Sequence, residues 1–342
     1  MSDDAPRPAR RLRDDRAELT STIDGVAERI GLNRFVVEKD YWVTEALRGI
    51  AREFDITFKG GTCLSKAYEL TRRFSEDVDL LAPDPSEPGD SGKQIKKKRE
   101  AVLKGIIAEA EHALGDHGSL REHGSEGKNR ASHVFWDARF GLDGDETTPD
   151  AIPLEAGIRR SVLIEVRYKA GDWPSETRPV TSLLAAALDE LGDIADYADL
   201  QPFKVKCVHP GRTAIEKLTI FSLITAETFE ADVDRHRPAR HLYDVHLLLQ
   251  DESTRALLAD SNMRRAIFDE HQAGTRDHGQ ELEWPDGGYH SLYLFNASAE
   301  HDALIDAALA ELARVYLFDP DSMPGWAEIR AGVHRAGEAG LI

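Results

Sequence analysis

FKGGTCLSKAYELTRRFSEDVDLL, residues Phe58–Leu81, is the stretch on which the reading of the whole chain turns. Asp55–Phe58 leads into it as a short β-prone run. Gly60-Gly61 is a break. Thr62–Arg73 has helical spacing, with Leu64, Ala67, Tyr68 and Leu70 on one face. Ser75–Leu81 alternates acidic and apolar residues and ends in an apolar run, as a strand does.

Each piece has a chemical use. A Gly-Gly turn lets backbone approach a ligand closely, because no Cβ intervenes. The helix behind it offers unpaired N–H groups and partial positive charge to a phosphate. Thr62 can cap that helix and supply a hydroxyl. Lys66, four residues on, shares its face and can reach a phosphate oxygen. Asp77 and Asp79 are two apart on a strand, so both carboxylates point to one side. Held that way they repel each other unless a cation lies between them, and Mg²⁺ (or Mn²⁺) carrying an NTP is the natural occupant. Strand, Gly-Gly, helix and Asp-x-Asp together form a template for nucleotidyl transfer. Either motif alone is commonplace: a glycine pair is usually a turn, and paired surface aspartates are usually solvated.

The combined string resembles the signature of the DNA polymerase beta-like nucleotidyltransferase superfamily. The run Arg73-Phe74-Ser75-Glu76-Asp77-Val78-Asp79 is similar to that of the AbiEii branch, the toxin half of bacterial toxin–antitoxin and phage-defence pairs. Glu38-Lys39-Asp40-Tyr41, upstream, is typical of the same branch. So are Arg212-Thr213 followed by Glu216-Lys217, and Arg240-His241-Leu242-Tyr243-Asp244. The resemblance spans Phe35–Asp244 and is silent after it. It implies that Lys217 contacts nucleotide phosphate or stabilises transition-state charge, and that the acceptor is the 3′ end of a tRNA, whose extension blocks translation. It also implies a cognate antitoxin as partner.

Composition sets the outer bounds. The 342 residues are 41% hydrophobic and 31% charged, which fits a globular chain of one large or two ordinary domains. No apolar run is long enough for a membrane span. Residues 1–18 have no apolar core and read as a loose tail rather than a secretory signal. Cys63 and Cys207 are then reduced thiols of a cytoplasmic protein. A net charge of −19 argues against a general DNA or RNA coat protein, but leaves room for a local basic surface. Scattered histidines match no zinc pattern.

In chain order, helices are expected at 18–30, 33–50 (capped by Asn33), 93–114, 181–191, 209–225 and 239–250, then at 252–269, 299–315 and 322–335. Strands are expected at 132–142, 161–169 and 203–208. Residues 82–92 are rich in Pro, Gly, Ser and Asp and read as a flexible flap. Lys39 and Asp40 either face the active site or form an exposed helical turn. Glu165, on the strand 161–169, is either a third metal carboxylate or an exposed strand residue. Lys217, beside the apolar stripe Ile215, Leu218 and Phe221, is either held at the triphosphate or an ordinary snorkelling lysine. Arg240 and Asp244 are four apart and can pair; alternatively Asp244 orients Lys217 or touches the nucleotide.

The expected fold is α/β: a polymerase beta-like nucleotidyltransferase mixed sheet with flanking helices, plus a helical C-terminal region. The expected domains are a tail over 1–17, a nucleotidyltransferase domain over 18–208 and a helical domain over 209–342 contributing to the active-site cleft. In the expected mechanism Asp77 and Asp79, with Glu165 as third candidate, hold the metal. Gly60, Gly61, Thr62, Lys66, Arg73, Ser75 and Arg240 face the phosphates, and Lys217 and Asp244 act on the transferring group. A protein or small-molecule hydroxyl is the alternative acceptor. A catalytically idle fold that binds a partner is the alternative of another class. Ser75 stands two residues before Asp77, so a phosphate placed on it would repel a triphosphate.

Overall fold

Alternation of buried apolar and half-buried acidic residues makes Asp77–Leu81 a strand, and a sheet forms around it. The computed structural model describes residues 10–75, 77–119, 131–136, 161–168, 171–192, 194, 196–224, 236–276, 282–296 and 298–342. The chain divides into two compact units. One comprises Met1–Phe58, Glu76–Tyr168 and Thr177–Lys206. The other comprises Lys59–Ser75, Lys169–Glu176 and Cys207–Ile342. The second unit takes in the glycine pair as well as the C-terminal residues.

In the first unit the sheet has seven strands: β1 (Thr57–Lys59), β2 (Asp77–Leu81), β3 (Gly118–Ser119), β4 (Ala131–Trp136), β5 (Ser161–Arg167), β6 (Ser175–Val180) and β7 (Phe203–Val208). Their order is β3-β4-β5-β2-β1-β7-β6. β2 and β5 run parallel, whereas β4 is antiparallel to both β5 and β3, so the sheet is mixed. Val78, Leu80, Ile164 and Val166 are buried on one face of the central pair. Burying a large aliphatic side chain contributes roughly 1.5–3 kcal/mol, so this face fixes which way the strands lie. A one-residue slip would bury the acids instead. β6 was not expected from the sequence. Of the strand expected at 132–142, residues 137–142 lie outside the described residues, as do residues 120–130 of the loop expected at 115–130, whose first residues form a short helical turn (Gly115–His117) and β3.

Helices α1 (Arg16–Ile30), α2 (Arg34–Glu53), α4 (Gly92–Leu114) and α5 (Leu183–Asp189) complete this unit. Asn33 accepts the Phe35 N–H and caps α2 as expected. Ser91 and Gln94 form a reciprocal capping box at the start of α4. α2 and α4 pack closely at Gly49, where a Cβ would fall within 2.5 Å of the Ala113 Cβ. Glu38, Lys39 and Asp40 are all buried, so the exposed-turn alternative fails. Asp40 accepts the Leu183 N–H at 2.7 Å and so secures the start of α5.

Two segments expected to be loose are held. Leu12 and Arg13 are buried, and their N–H groups donate to Asp199 at 3.0 and 3.2 Å. Residues 82–91, expected to form a flap, are tied to α4 by Asp84–Arg99 at 2.6 Å and Asp90–Lys98 at 2.9 Å. Burial would raise the Asp84 carboxyl, but bonds from Arg99 and Ser86 outweigh it and hold the group at about 2.

The second unit is helical. It contains α3 (Gly60–Lys66), α6 (Pro210–Phe221), α7 (His236–Leu248), α8 (Glu252–Ala259), α9 (Ser261–Arg276), α10 (Ala299–Tyr316) and α11 (Trp326–Glu338). α6 and α7 pack together, and α7 also packs on α10 and α11. The single helix expected at 252–269 is two, because Asp260 accepts the N–H groups of Asn262 and Met263 and caps a new start. Of the loop or frayed helix expected at 226–238, residues 226–235 lie outside the described residues and residues 236–238 open α7. Trp326 is buried, whereas Phe318 is only half-buried. Among the described residues no helix is long and apolar enough to cross a membrane.

Candidate active-site residues in the two units

In the first unit the chemistry gathers on one face of β2. Because Val78 and Leu80 occupy the buried face, Asp77 and Asp79 are forced to the other, where both are half-buried. β5 lies in register beside them, with Asp77 level with Leu163 and Asp79 level with Glu165. Glu165 is therefore on the aspartates' face of the ladder. Among the described residues, however, no group of three or more His, Cys, Asp or Glu side chains is arranged to hold a metal ion. Two carboxylates still suit Mg²⁺, which usually takes one or two protein carboxylates and completes its shell with water and substrate phosphates. Asp77 and Asp79 offer the hard, anionic oxygens such an ion requires.

In the second unit, α3 begins at Gly60 itself, with Gly60 at φ 79° and Lys59 as N-cap residue. The glycine pair is therefore the first turn of the helix rather than a break before it. Thr62 lies inside the helix, and its hydroxyl donates to Ser75 Oγ at 2.8 Å instead of capping. The helix, expected to reach Arg73, ends at Lys66, which is half-buried. Glu69 then takes a left-handed φ of 56°, and the Leu70 N–H returns to the Leu64 carbonyl. The chain next runs beside the segment after α10. The Phe74 N–H donates to the Tyr316 carbonyl at 2.7 Å, and the Phe318 N–H to the Arg72 carbonyl at 3.2 Å.

That path carries Arg73 under the glycines. A Cβ on Gly61 would overlap Arg73 Nη2 and come within 3.2 Å of Ser75 Oγ, so Gly61 is needed for close approach. The Arg73 fork is bidentate on Asp244: Nε to Oδ1 and Nη2 to Oδ2, both at 2.8 Å. Lys217 Nζ lies 3.0 Å from the same Oδ2. Asp244 is fully buried, and burial alone would raise its carboxyl. The charges of Arg73 and then Lys217 outweigh burial and hold it well below the usual carboxylate range. Of the two alternatives for Asp244, the structure places it against Lys217, together with Arg73, and not in a pair with Arg240. Arg240 instead lies over the Tyr316 ring, 5.3 Å from its centroid. Arg73, expected at the phosphates, spends its fork on Asp244.

Two further groups belong to this cluster and were missed. Lys59, directly before the glycine pair, is buried and contacts Glu216 Oε2 at 2.5 Å. Glu216 also takes the Arg212 Nε at 3.0 Å. Burial opposes ionisation of Glu216, but Lys59, His271 and Arg212 hold it well below the ordinary range. The adjacent α6 residues Glu216 and Lys217 therefore grip the glycine turn twice: at Lys59, and through Asp244 and Arg73 at Gly61. His241 is the other missed group, with Nδ1 2.9 Å from Lys217 Nζ. The available signal was an acid–base pair, Glu216-Lys217, inside a helix whose other residues are nearly all buried.

Comparison with known proteins adds one match. A family model described as "Nucleotidyl transferase AbiEii toxin, Type IV TA system" matches residues 48–339. No curated protein matches the chain. The match starts after Glu38–Asp40, which therefore lie outside it, and continues through the C-terminal helices, where the motifs are silent.

Proposed function

The chain belongs to the AbiEii family of nucleotidyl transferase toxins of type IV toxin–antitoxin systems, and from that premise we propose that it moves a nucleoside monophosphate from a divalent-cation-bound NTP to the 3′ end of a tRNA. The observation that supports the chemistry is that Asp77 and Asp79 share one face of a central strand, opposite the buried Val78 and Leu80. Asp77 and Asp79 are the residues that hold the cation, with Glu165 beside Asp79. When bound, the cation neutralises triphosphate charge and steadies the attacking and leaving oxygens.

The protein's own groups do the rest. Gly60, Gly61, Thr62 and Lys66 face the phosphates. Lys217, fixed by Asp244, neutralises charge that develops on the transferring phosphoryl group, and a fixed ammonium needs no reorganisation to do so. The acceptor hydroxyl attacks the α-phosphorus, and pyrophosphate leaves. The cognate antitoxin is the partner that family membership implies.

The test uses the purified protein with total tRNA, Mg²⁺ and each labelled NTP in turn. Label at the 3′ end of tRNA is the expected result. Label in protein or in a small molecule replaces the acceptor. No transfer to any of these leaves a fold that works by binding.

The same assay reads Ser75. Glu and Gln are nearly isosteric, so the ratio of Ser75→Gln to Ser75→Glu isolates the effect of charge. A like charge beside the phosphates costs several kcal/mol, so the Glu variant is expected to be slower by about a hundredfold. Equal rates would show that no triphosphate comes near Ser75.

A further inference from the structure

Lys217 rests between two acceptors, and one of them titrates. Its Nζ lies 3.0 Å from Asp244 Oδ2 and 2.9 Å from His241 Nδ1. Both acceptors come from α7, three residues apart, so one turn of helix presents them together. An ammonium only donates, so His241 Nδ1 must offer its lone pair, and the imidazole proton then sits on Nε2. We propose that His241 is a positioning residue for Lys217: its neutral imidazole holds the ammonium in place, and protonation of the ring releases it. This inference rests on the reading of Lys217 as the group that neutralises charge on the transferring phosphoryl.

The surroundings favour this arrangement. α6 presents Lys217 to one nitrogen of the ring and the Phe221 ring to its side, edge-on, with centroids 6.5 Å apart. On α7 itself Asp244 is one turn further along, and Arg240 is turned over Tyr316 of α10. Arg73 reaches the cluster through the Asp244 carboxylate. From α11, Glu328 faces His246, 3.6 Å away, rather than His241. An imidazolium has no lone pair at Nδ1, so two cations would then face each other across the present contact. The Asp244 carboxylate, which would still face Lys217, is already shared with Arg73. The ammonium would be pulled off its line, not lost from the fold.

The experiment measures kcat for transfer of labelled NTP to total tRNA between about pH 5 and 8, the range in which histidine titrates. The proteins are wild type, His241→Asn, His241→Ala and Lys217→Met. Asparagine places an amide oxygen where Nδ1 stands and accepts at every pH in the range. Wild-type kcat is expected to fall on the acid side. His241→Asn is expected to stay within about threefold of wild type at pH 7.5 and to lose that acid limb, because the acceptor no longer titrates. His241→Ala, with no acceptor, is expected to lose about tenfold, the worth of one hydrogen bond to a charged group.

A second readout needs no substrate. Long-range ¹H–¹⁵N spectra of the imidazole should show the Nε2–H tautomer in wild type, and a mixture in Lys217→Met. An Nδ1–H tautomer in wild type, or an acid limb that persists in His241→Asn, overturns the inference. If Lys217→Met is dead while His241→Ala matches wild type at every pH, His241 has no positioning role and the reading of Lys217 stands. If Lys217→Met transfers normally, the reading of Lys217 falls and takes this inference with it.

Discussion

Asp77→Asn is expected to lower the transfer rate by about a thousandfold or more, because losing one charged oxygen at the cation removes several kcal/mol of transition-state stabilisation. Stability should hardly change. Asp77 is half-buried on the opposite face of β2 from Val78 and Leu80, which keep the strand in register without it. The substitution also removes one of two like charges held on one face. A change within about 1 kcal/mol is therefore expected, the range of substitutions that leave packing intact. Transfer rate and urea midpoint, measured on the same preparation, check both halves. A variant that keeps more than a tenth of the activity would take Asp77 out of the metal site. A variant that unfolds would make it a structural residue.

The acidic strand was legible because its signal is local. A period of two puts acids and aliphatics on opposite faces, and burial follows that pattern residue by residue. The Asn33 cap was legible because its signal is local too. The path of the chain from Ala67 to Ser75 was not. Its spacing is as helical as that of Thr62–Lys66, yet Glu69 turns left-handed and the helix stops. What overrides propensity there is tertiary: Arg73 binds an aspartate 171 residues away, and Phe74 bonds to the end of α10. Likewise, Arg240 and Asp244 have the spacing of a helical ion pair, but a bidentate fork outcompetes a single i,i+4 contact for the buried Asp244 carboxylate. The link between Lys59 and Glu216 joins residues 157 apart and leaves no local trace. β6 escaped for a different reason. Its sequence, SETRPV, is polar and contains a proline, a composition a central strand excludes but an edge strand tolerates; β6 is the last strand in the sheet order.

Asp244→Asn is expected to destabilise the protein by about 3–5 kcal/mol, the cost of leaving buried charge without its partner. The side chains involved are 4% exposed for Arg73, 7% for Lys217 and 0% for Asp244. Two buried cations then lose the charge they share, close to the glycine turn, and water has little access to relieve them. The pH dependence follows from the depressed carboxyl. Its folded pKa lies below the unfolded value of about 3.9. The stability Asp244 contributes is therefore complete above that unfolded value, and it is lost as pH falls from there toward the folded one. Wild type should weaken across that acid window, and Asp244→Asn should lack Asp244's share of the slope while Glu216, held low in the same way, keeps its own. Urea midpoints taken from pH 7 down to pH 3 measure this. A triple variant, Arg73→Met with Lys217→Met and Asp244→Leu, separates charge from packing. Removing all three charges should recover much of the stability, because well-packed apolar residues often match a buried ion cluster, yet it should restore no transfer, because the ammonium is gone. If Asp244→Asn instead melts like wild type, the cations must be hydrated despite their burial. The cluster would then not be what holds Gly61 and Lys217 in place.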